Sequence, residues 1–231
     1  MKGSYAVLKT GSWKKQPPAT VFGLIKQQQH LMMSPQYREI TIGFYPHVFQ
    51  ELIAESMSAL SSEVTTDLLD LVGRRRAEQL LAGLSLATSD QELIKSIEKF
   101  LHSQLNAQKK DARLYAAHEL ISSSLIHSVN ALCNDLNLSA SRLRELYRDK
   151  VGFTPKEAIR IARIKKALER SIDSEERLTD LAYDLGYFDQ SHFIHDFQSL
   201  IGLTPKQYFK NPNLTSDFYN YSRLQLSSFV S

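Results

Sequence analysis

The sequence predicts an α+β protein. A short N-terminal domain of strands and helices is expected to precede an all-α C-terminal domain, in which a long helix joins two helix-turn-helix units. Three observations favour this class. Short apolar runs between Gly, Ser and Pro precede Pro46, apolar residues at helical spacing follow it, and one five-residue phrase occurs twice in the C-terminal half.

Three segments before Pro46 have the character of strands. Tyr5–Lys9 and Thr20–Lys26 are short apolar-rich runs between turn-forming residues. Glu39–Tyr45 is rich in β-branched and aromatic residues, and Pro46 ends it because proline has no backbone N–H to donate. The sequence therefore predicts β-structure at the start of the N-terminal domain.

Helical spacing begins near His47 and continues through the N-terminal domain, which is predicted to span residues 1–108. Ser89 and Glu92 have the spacing of a capping box, in which a hydroxyl and a carboxylate satisfy N–H groups at a helix start. The polar stretch from Asn106 to Asp111 is predicted to be a linker.

Composition and cysteine content exclude several classes of protein. The chain has 231 residues, of which 42% are apolar and 23% charged, a balance typical of a folded globular protein. Cys133 is the only cysteine, so an intramolecular disulfide and a cysteine-based zinc site are excluded. The sequence shows neither a signal peptide nor an apolar run of roughly 18 residues. We therefore expect a cytoplasmic protein without a membrane, metal or cofactor partner.

One five-residue motif, Gly-x-Thr-Pro-Lys, occurs twice, fifty residues apart. Gly152 to Lys156 reads GFTPK, and Gly202 to Lys206 reads GLTPK. In each copy the glycine suits the left-handed residue that ends a helix. The threonine suits the N-cap of the next helix, and the proline suits its first position. Two copies in register indicate a duplicated structural unit.

The segments before the two phrases also match, and each reads as a short helix, a tight turn and a second helix. In the first unit, Ser139 is predicted to cap the second helix; in the second unit, Gly186 makes the turn and Asp189 is the cap. The second turn is one residue longer. The residues expected to pack inward are Leu132, Cys133, Leu136, Leu143, Leu146 and Tyr147 in the first unit, and Leu181, Ala182, Leu185, Phe193 and Phe197 in the second.

A long helix from Pro155 to about Ser171 connects the two units and spans roughly 25 Å. With the width of the units added, this spacer favours a separation of about 34 Å between the second helices, which is one turn of DNA. From Arg142 to Arg170 there are ten lysines and arginines and four acidic residues. Such a basic stretch is typical of polyanion binding, although a solvated helix face gives the same pattern.

Residues 112–211 resemble the DNA-binding domain of the AraC/XylS family of bacterial transcription regulators. The most specific part runs from Leu178 to Lys210, LTDLAYDLGYFDQSHFIHDFQSLIGLTPKQYFK. It contains the family's Ala-x-x-x-Gly-Tyr turn, its Asp-Gln-Ser-x-Phe helix start and its Gly-x-Thr-Pro-x-x-Tyr ending. The resemblance implies a cytoplasmic transcription activator that binds double-stranded DNA with one recognition helix from each unit.

The resemblance also implies which side chains contact DNA. Arg144 is expected to bind a guanine edge and Gln190 an adenine edge. Lys156 and Lys206 lie beside helix N-termini and are expected to contact phosphate. The full base-facing set is Ser141, Arg142, Arg144, Glu145 and Arg148 in the first unit, and Gln190, Ser191, His192, Ile194 and His195 in the second. The backbone-contacting set is Thr154, Lys156, Arg163, Thr204 and Lys206.

The sequence departs from the family's pattern in the second recognition helix. Residues 190–200 contain no lysine or arginine, and the family's basic residues are replaced at His195, Gln198 and Ser199, and in the first unit at Glu145. The absence of basic residues predicts that the second recognition helix binds DNA weakly, or that its affinity depends on pH through His192 and His195. The spacing of these two histidines also fits a metal site, but no third ligand accompanies them.

Two other interpretations stand beside the DNA-binding one. A regulator-like module that binds another protein, with weak or lost DNA binding, would explain why the second recognition helix has no lysine or arginine. An enzyme is disfavoured, because the paired Glu175 and Glu176 lie in a polar loop. Arg74, Arg75 and Arg76 are predicted to start a solvated helix, with an anion site as the alternative.

The N-terminal domain resembles the end of a sensory or dimerisation domain and is expected to lack that domain's early strands. An unidentified small-molecule effector and RNA polymerase are candidate partners. The chain is expected to be a monomer or a homodimer. The aromatic tail, residues 212–231, is predicted to contact either a partner or the protein's own surface.

Overall fold

The computed structural model describes residues 5–9, 12–22, 31–33, 40–53, 57–60, 65–105, 111–123, 126, 128–170 and 178–210. Five strands and twelve helices lie in these ranges, so the predicted α+β class is confirmed. The strands are β1 (Tyr5–Lys9), β2 (Ser12–Lys15), β3 (Thr20–Phe22), β4 (Leu31–Met33) and β5 (Thr65–Asp67). The N-terminal helices are α1 (Pro46–Phe49), α2 (Met57–Leu60), α3 (Leu68–Val72), α4 (Arg74–Leu86) and α5 (Asp90–Leu105). The C-terminal helices are α6 (Ala112–Ser122), α7 (Val129–Asp135), α8 (Ala140–Lys150), α9 (Pro155–Arg170), α10 (Leu178–Asp184), α11 (Gln190–Ile201) and α12 (Pro205–Lys210).

The chain divides into two compact units. Unit 1 comprises Met1–Leu120 and Ser128–Pro155, and unit 2 comprises Ile121–His127 and Lys156–Ser231. The helix pair α7–α8 therefore belongs to unit 1 with the N-terminal elements, and the pair α10–α11 belongs to unit 2. The domain limits expected from the sequence, at residues 108, 112 and 211, stay predictions.

Two small antiparallel sheets form the β-structure of unit 1. Strand β1 is central in a three-stranded sheet in the order β2-β1-β4, with Val7 opposite both Lys14 and Leu31. Strands β3 and β5 form a two-stranded sheet with Val21 opposite Thr66. The predicted strands at Tyr5–Lys9 and Thr20–Phe22 are present, while residues 23–26 of the second prediction lie outside the described residues. Strands β2, β4 and β5 are only three or four residues long and were not predicted from the sequence.

The predicted strand over Glu39–Tyr45 is wrong for residues 40–45, which form no strand. Tyr45 instead begins α1, because its carbonyl accepts the N–H groups of Val48 and Phe49 at 2.9 Å. Phe44 packs against the ring of Phe49, with centroids 5.4 Å apart, and joins the apolar core of unit 1. The aromatic residues of this segment therefore pack in the core and begin α1, and they do not form a strand.

A cluster of rings and titratable groups joins α1 to α6 within unit 1. The His47 ring lies 4.9 Å from the His118 ring and 4.7 Å from the Tyr115 ring, and the Tyr115 hydroxyl donates to Glu51 Oε1 at 2.9 Å. Burial and the neighbouring His118 lower the pKa of His47 to about 4. Burial, the hydrogen bond to Glu51 and the charge of Glu51 raise the pKa of Tyr115 to about 12. His47 is therefore neutral at neutral pH.

The helices α4 and α5 begin as the sequence predicts. Gly73 precedes α4 with a φ of 86°, and the exposed Arg74, Arg75 and Arg76 form its first turn. Ser89 Oγ accepts the N–H of Glu92 at 3.3 Å, while the Glu92 carboxylate accepts the N–H of Thr88 at 2.7 Å. The backbone and hydroxyl hydrogen bonds from Thr88 lower the pKa of Glu92. In the described residues, no helix is long and apolar enough to cross a membrane.

Candidate nucleic-acid interface

The first helix pair, α7–α8, has the geometry of a helix-turn-helix. Ser128 caps α7 by accepting the N–H of Ala131 at 3.1 Å. The turn is closed by the Leu138 N–H, which donates to the Cys133 carbonyl at 2.9 Å, and by Asn137, whose φ is 51°. Asparagine is one of the few residues that tolerate this left-handed conformation. The role of Asn137 in the turn was not predicted from the sequence, although its residue type is the signal for it.

The first recognition helix, α8, begins and packs as predicted. Ser139 Oγ accepts the N–H of Arg142 at 3.2 Å, which makes Ser139 the N-cap. Leu143, Leu146 and Tyr147 are buried at 0%, 7% and 4% exposure. Burial raises the pKa of Tyr147 well above its usual range. With one face fixed in the core, the opposite face of α8 is presented to solvent.

The second helix pair, α10–α11, repeats this geometry. The Tyr187 N–H donates to the Ala182 carbonyl at 3.0 Å, and Gly186 has a φ of 75°. Asp189 caps α11 by accepting the N–H of His192 at 2.7 Å. The turn runs from Leu185 to Asp189 and is one residue longer than the first turn, as predicted.

Aromatic rings fix the inner face of the second recognition helix, α11. Phe193 and Phe197 are fully buried, and their ring centroids are 5.8 Å apart. The ring of Phe197 also contacts Tyr208 of α12, with centroids 5.7 Å apart. The predicted packing residues of this unit are therefore confirmed.

The outer faces of both helices contain the residues predicted to read bases. On α8 all five of them are exposed, and on α11 Ser191, His192 and His195 are exposed while Gln190 and Ile194 are partly buried. Ile194 packs against the apolar core of unit 2. The exposed faces are compatible with groove contacts, and the base-reading roles stay predictions.

Two of the arginines of α8, Arg142 and Arg144, contact neighbours on their own helix. Arg142 forms an ion pair with Glu145 at 2.7 Å, and both side chains are about half exposed (54% and 52%). Arg144 Nε donates to the Ala140 carbonyl at 3.1 Å. The negative charge of Glu145 therefore offsets part of the positive charge that α8 presents. An exposed ion pair of this kind contributes little to stability.

The start of α11 is held by side-chain contacts. Thr179 on α10 donates its hydroxyl hydrogen to Gln190 Oε1 at 2.9 Å. The ring of His192 meets the Tyr187 ring edge-on, with centroids 5.2 Å apart. Gln190 keeps its amide N–H groups and a second oxygen lone pair for other partners, since an amide offers two donors and two acceptor sites.

Four of the five residues predicted to contact the DNA backbone lie at helix starts, and the fifth, Arg163, lies in the middle of α9. Lys156 and Lys206 are exposed in the first turns of α9 and α12. At α12, Thr204 and Gln207 form a reciprocal capping box: the Gln207 N–H donates to Thr204 Oγ1 at 3.3 Å, and the Thr204 N–H donates to Gln207 Oε1 at 3.0 Å. Arg163 lies over the Tyr187 ring at 5.0 Å from its centroid, a cation–π contact within unit 2.

An ion pair between α9 and α11 was missed by the sequence analysis. Arg160 Nε donates to both carboxylate oxygens of Asp196 at 3.1 Å, and another nitrogen of the guanidinium donates to Ser199 Oγ at 2.8 Å. Asp196 is buried at 6% exposure. Asp196 lies beside Phe193 and Phe197 on the inner face of α11. A carboxylate on a packed face needs a partner, so this position was the sequence signal for an ion pair.

Several predictions on function fall outside the described residues. These are Glu175 and Glu176, most of the linker at residues 106–110 and the aromatic tail at residues 212–231. Among the described residues, no three histidine, cysteine or acidic side chains are placed to hold a metal.

Comparison with known proteins finds one domain family, two curated relatives and several solved structures that are similar to this chain. Residues 132–211 match a family described as a helix-turn-helix domain. The invasion proteins InvF of Salmonella typhi and of Salmonella typhimurium are each 27% identical to this chain over 100 residues, covering 43% of the chain and 46% of InvF. The chain thus spans about half the length of these curated relatives. Two solved structures of ToxT from Vibrio cholerae are similar at TM-scores of 0.49 and 0.47, with 14% and 15% identity, covering 90% and 92% of this chain and 86% and 87% of ToxT.

Proposed function

We propose that the chain is a transcription regulator of the AraC type, which binds double-stranded DNA in a sequence-specific manner through the helix-turn-helix region at residues 132–211. The observation that carries the proposal is the pair of capped recognition helices. Each of α8 and α11 has an inner face fixed in a core and an outer face that presents polar side chains. A helix held in this way can enter the major groove without rearranging its support.

The exposed face of α8 supplies the charge for this role. Arg142, Arg144 and Arg148 are all exposed there. Arginine matches the two acceptors on a guanine edge, and each such pair contributes about 1–3 kcal/mol of discrimination between bases. Positive charge also attracts the phosphate backbone irrespective of sequence. We propose that α8 supplies most of the ionic attraction and part of the base recognition.

The connecting helix favours the reading of two successive major grooves. Helix α9 has 16 residues and is therefore about 24 Å long. Two helix-turn-helix units on one DNA face read neighbouring grooves when their recognition helices are about 34 Å apart. The length of α9 together with the width of the units is compatible with that spacing. Recognition of two grooves by one chain is the proposed arrangement.

Residues at the helix starts complete the proposed interface. Lys156 and Lys206 lie in the first turns of α9 and α12, where a lysine side chain can reach a phosphate oxygen, and Thr154 and Thr204 directly precede these helices. Arg163 is assigned to the DNA backbone by resemblance alone, and its contact with the Tyr187 ring gives it a supporting role within unit 2. Phosphate contacts of this kind fix the register of a protein on DNA and carry no sequence information directly.

A second candidate function is binding to another protein with weak or lost DNA binding. The observation that favours it is the outer face of α11, which has no lysine or arginine. A helix without positive charge gains little from the phosphate backbone, so its affinity for DNA depends on base contacts. An activator role, an effector, RNA polymerase and the oligomeric state stay predictions from the resemblance.

The test is binding of the purified chain to a duplex that it selects from a randomised DNA library, measured over a series of salt concentrations. We expect specific binding below micromolar, with log K falling steeply as log salt rises. Arg144→Ala is expected to weaken it about tenfold or more, since one guanine pair contributes about 1–3 kcal/mol. Arg75→Ala is the matched control, because Arg75 is an exposed arginine on α4 outside both helix pairs.

Two results would contradict the DNA-binding proposal. The first is a library that yields no enriched sequence even at low salt. The second is an equal loss of affinity for Arg144→Ala and Arg75→Ala, which would mean that only net charge matters. Either result would favour the protein-binding alternative.

A further inference from the structure

The two turns differ by one residue, and their hydrogen bonds show which residue is extra. Leu138 and Tyr187 occupy equivalent places, because each donates its N–H to the carbonyl five residues earlier, that of Cys133 and Ala182 respectively. Ser139 and Asp189 are equivalent as N-caps. Leu138 is followed directly by its cap, whereas Phe188 stands between Tyr187 and Asp189. Phe188 is therefore the inserted residue.

Phe188 is the most exposed large apolar side chain in the part of the chain that the structure describes, at 85% exposure. Its neighbours are fixed: Tyr187 is 3% exposed with its ring against His192 and Phe193, and Asp189 binds the His192 N–H. The backbone of Phe188 is therefore held between two anchored residues. An exposed phenylalanine on a rigid support loses little conformational entropy when it meets a partner.

Phe188 directly precedes the N-cap of α11, and the N-terminal residues of a recognition helix are those that contact base edges. Only one group on the major-groove edges of the bases is apolar, and that is the C5-methyl group of thymine. Phenylalanine is one of the side chains that make apolar contact with it. α11 has no lysine or arginine, so an apolar contact adds recognition where ionic contacts are absent.

The geometry points to Phe188 as a specificity-determining residue that reads the methyl group of a thymine in the half-site bound by α11. This inference rests on the proposed DNA-binding function. It assigns to the inserted residue a role that the remaining residues of the second turn lack, since Tyr187 is buried in the core and Asp189 is engaged as the cap.

The experiment replaces each thymine of the selected duplex in turn with deoxyuridine, which removes the C5-methyl group and keeps base pairing. We expect the unmodified protein to lose about fourfold in affinity at one or two positions, the effect of withdrawing one buried methyl group. Phe188→Ala is expected to bind the thymine and uracil duplexes equally at those positions, and Phe188→Leu to keep part of the difference. Tyr183→Ala is the control, because Tyr183 is another exposed aromatic residue of unit 2, at 59% exposure; it should keep the unmodified protein's profile.

The outcomes separate this inference from the proposed function. If Phe188→Ala keeps the same losses at every uracil position, thymine reading by Phe188 is wrong, even though the protein binds DNA. If the unmodified protein selects no duplex, the proposed function itself fails. Since Phe188 is exposed, its replacement is not expected to unfold the chain, and circular dichroism checks this.

Discussion

The two helix-turn-helix units use the same backbone design and present different surfaces. Both have a positive-φ residue in the turn, a backbone hydrogen bond that closes it and a side-chain cap on the recognition helix. The first recognition helix, α8, presents arginines, whereas the second, α11, presents a serine, a glutamine and two histidines. Capping and packing therefore define the helix-turn-helix unit, whereas the side chains on the outer face of the recognition helix differ between the two units.

The supports of the two recognition helices differ as well. In unit 1, α2 packs against the end of α8, and a Cβ added at Gly152 would lie 2.8 Å from the Met57 carbonyl oxygen. In unit 2, α11 is fixed to α9 by the ion pair between Arg160 and Asp196. The first support is a close backbone approach and the second is an ion pair whose carboxylate is buried, so different substitutions should weaken each.

The largest expected effect is on the support of α11. Arg160→Met would leave the Asp196 carboxylate buried without its partner, and we expect it to lower the free energy of unfolding of unit 2 by about 3–4 kcal/mol. Denaturant unfolding monitored by circular dichroism measures this. Arg170→Met is the matched control, because the Arg170–Asp184 pair is more exposed and should contribute less than about 1 kcal/mol. Equal effects of the two substitutions would show that Asp196 does not depend on Arg160.

A second effect concerns pH and is confined to unit 1. The pKa of His47 in the folded chain is about 4, below its ordinary value of 6.5, because burial and His118 disfavour the charged ring. The unfolded chain therefore takes up a proton first as the pH falls. The free energy of unfolding should decrease between about pH 6.5 and pH 4, by up to about 3 kcal/mol.

Unfolding of the unmodified chain and of His47→Gln across this pH range checks the effect. The difference between the two isolates the contribution of His47 to the pH dependence. His102→Gln, at an exposed position on α5, is the control. A pH dependence that survives His47→Gln unchanged would contradict the assignment.

Substitution of Gly152, at the end of α8, should lower the free energy of unfolding by less than the two changes above. Gly152 has a φ of 84° and lies against Met57, so a Cβ there meets both backbone strain and a steric contact. We expect Gly152→Ala to lower the free energy of unfolding by about 2–3 kcal/mol. Gly43→Ala is the control, since nothing lies within 4 Å of an added Cβ at Gly43. If both changes are neutral, the close approach of Met57 does not support α8.

The sequence predicted the C-terminal units in detail because their signals are local. The Ser139 and Asp189 caps, the Gly186 turn and the buried Phe193 and Phe197 all follow from residue type and spacing over a few positions. The N-terminal region was predicted less well. Two of its strand pairings, β1 with β4 and β3 with β5, join segments that are far apart in the sequence. Residues 40–45 are held by tertiary packing that overrides their strand-like composition.

The candidate site shows the same division. The exposed faces of α8 and α11 followed from helical periodicity, whereas the ion pair between Arg160 and Asp196 joins residues 36 positions apart. The contact of Thr179 with Gln190 likewise depends on how α10 meets α11. Contacts of this kind are set by the packing of helices and have no signature in one short segment.

The smallest expected effect concerns the charge of α8. Because Glu145 forms an ion pair with Arg142, Glu145→Ala should release positive charge and raise DNA affinity severalfold at low salt. The gain should disappear as salt is added, and a fluorescence anisotropy titration at two salt concentrations measures it. Glu119→Ala, an exposed acidic residue of unit 1 on α6, is the control for net charge. An equal gain from both would mean that the ion pair has no specific role.

The most direct test of the proposed division between the two helices compares salt dependence in two sets of variants. One replaces Arg142, Arg144 and Arg148 of α8 with glutamine, and the other replaces Gln190, His192 and His195 of α11 with alanine. At a pH where imidazole is neutral, we predict that the α8 set lowers the slope of log K against log salt by roughly 2–3. The α11 set should lower affinity at every salt concentration without changing the slope. Equal slopes for the two sets would contradict the account, because the ionic part of binding would then not depend on α8.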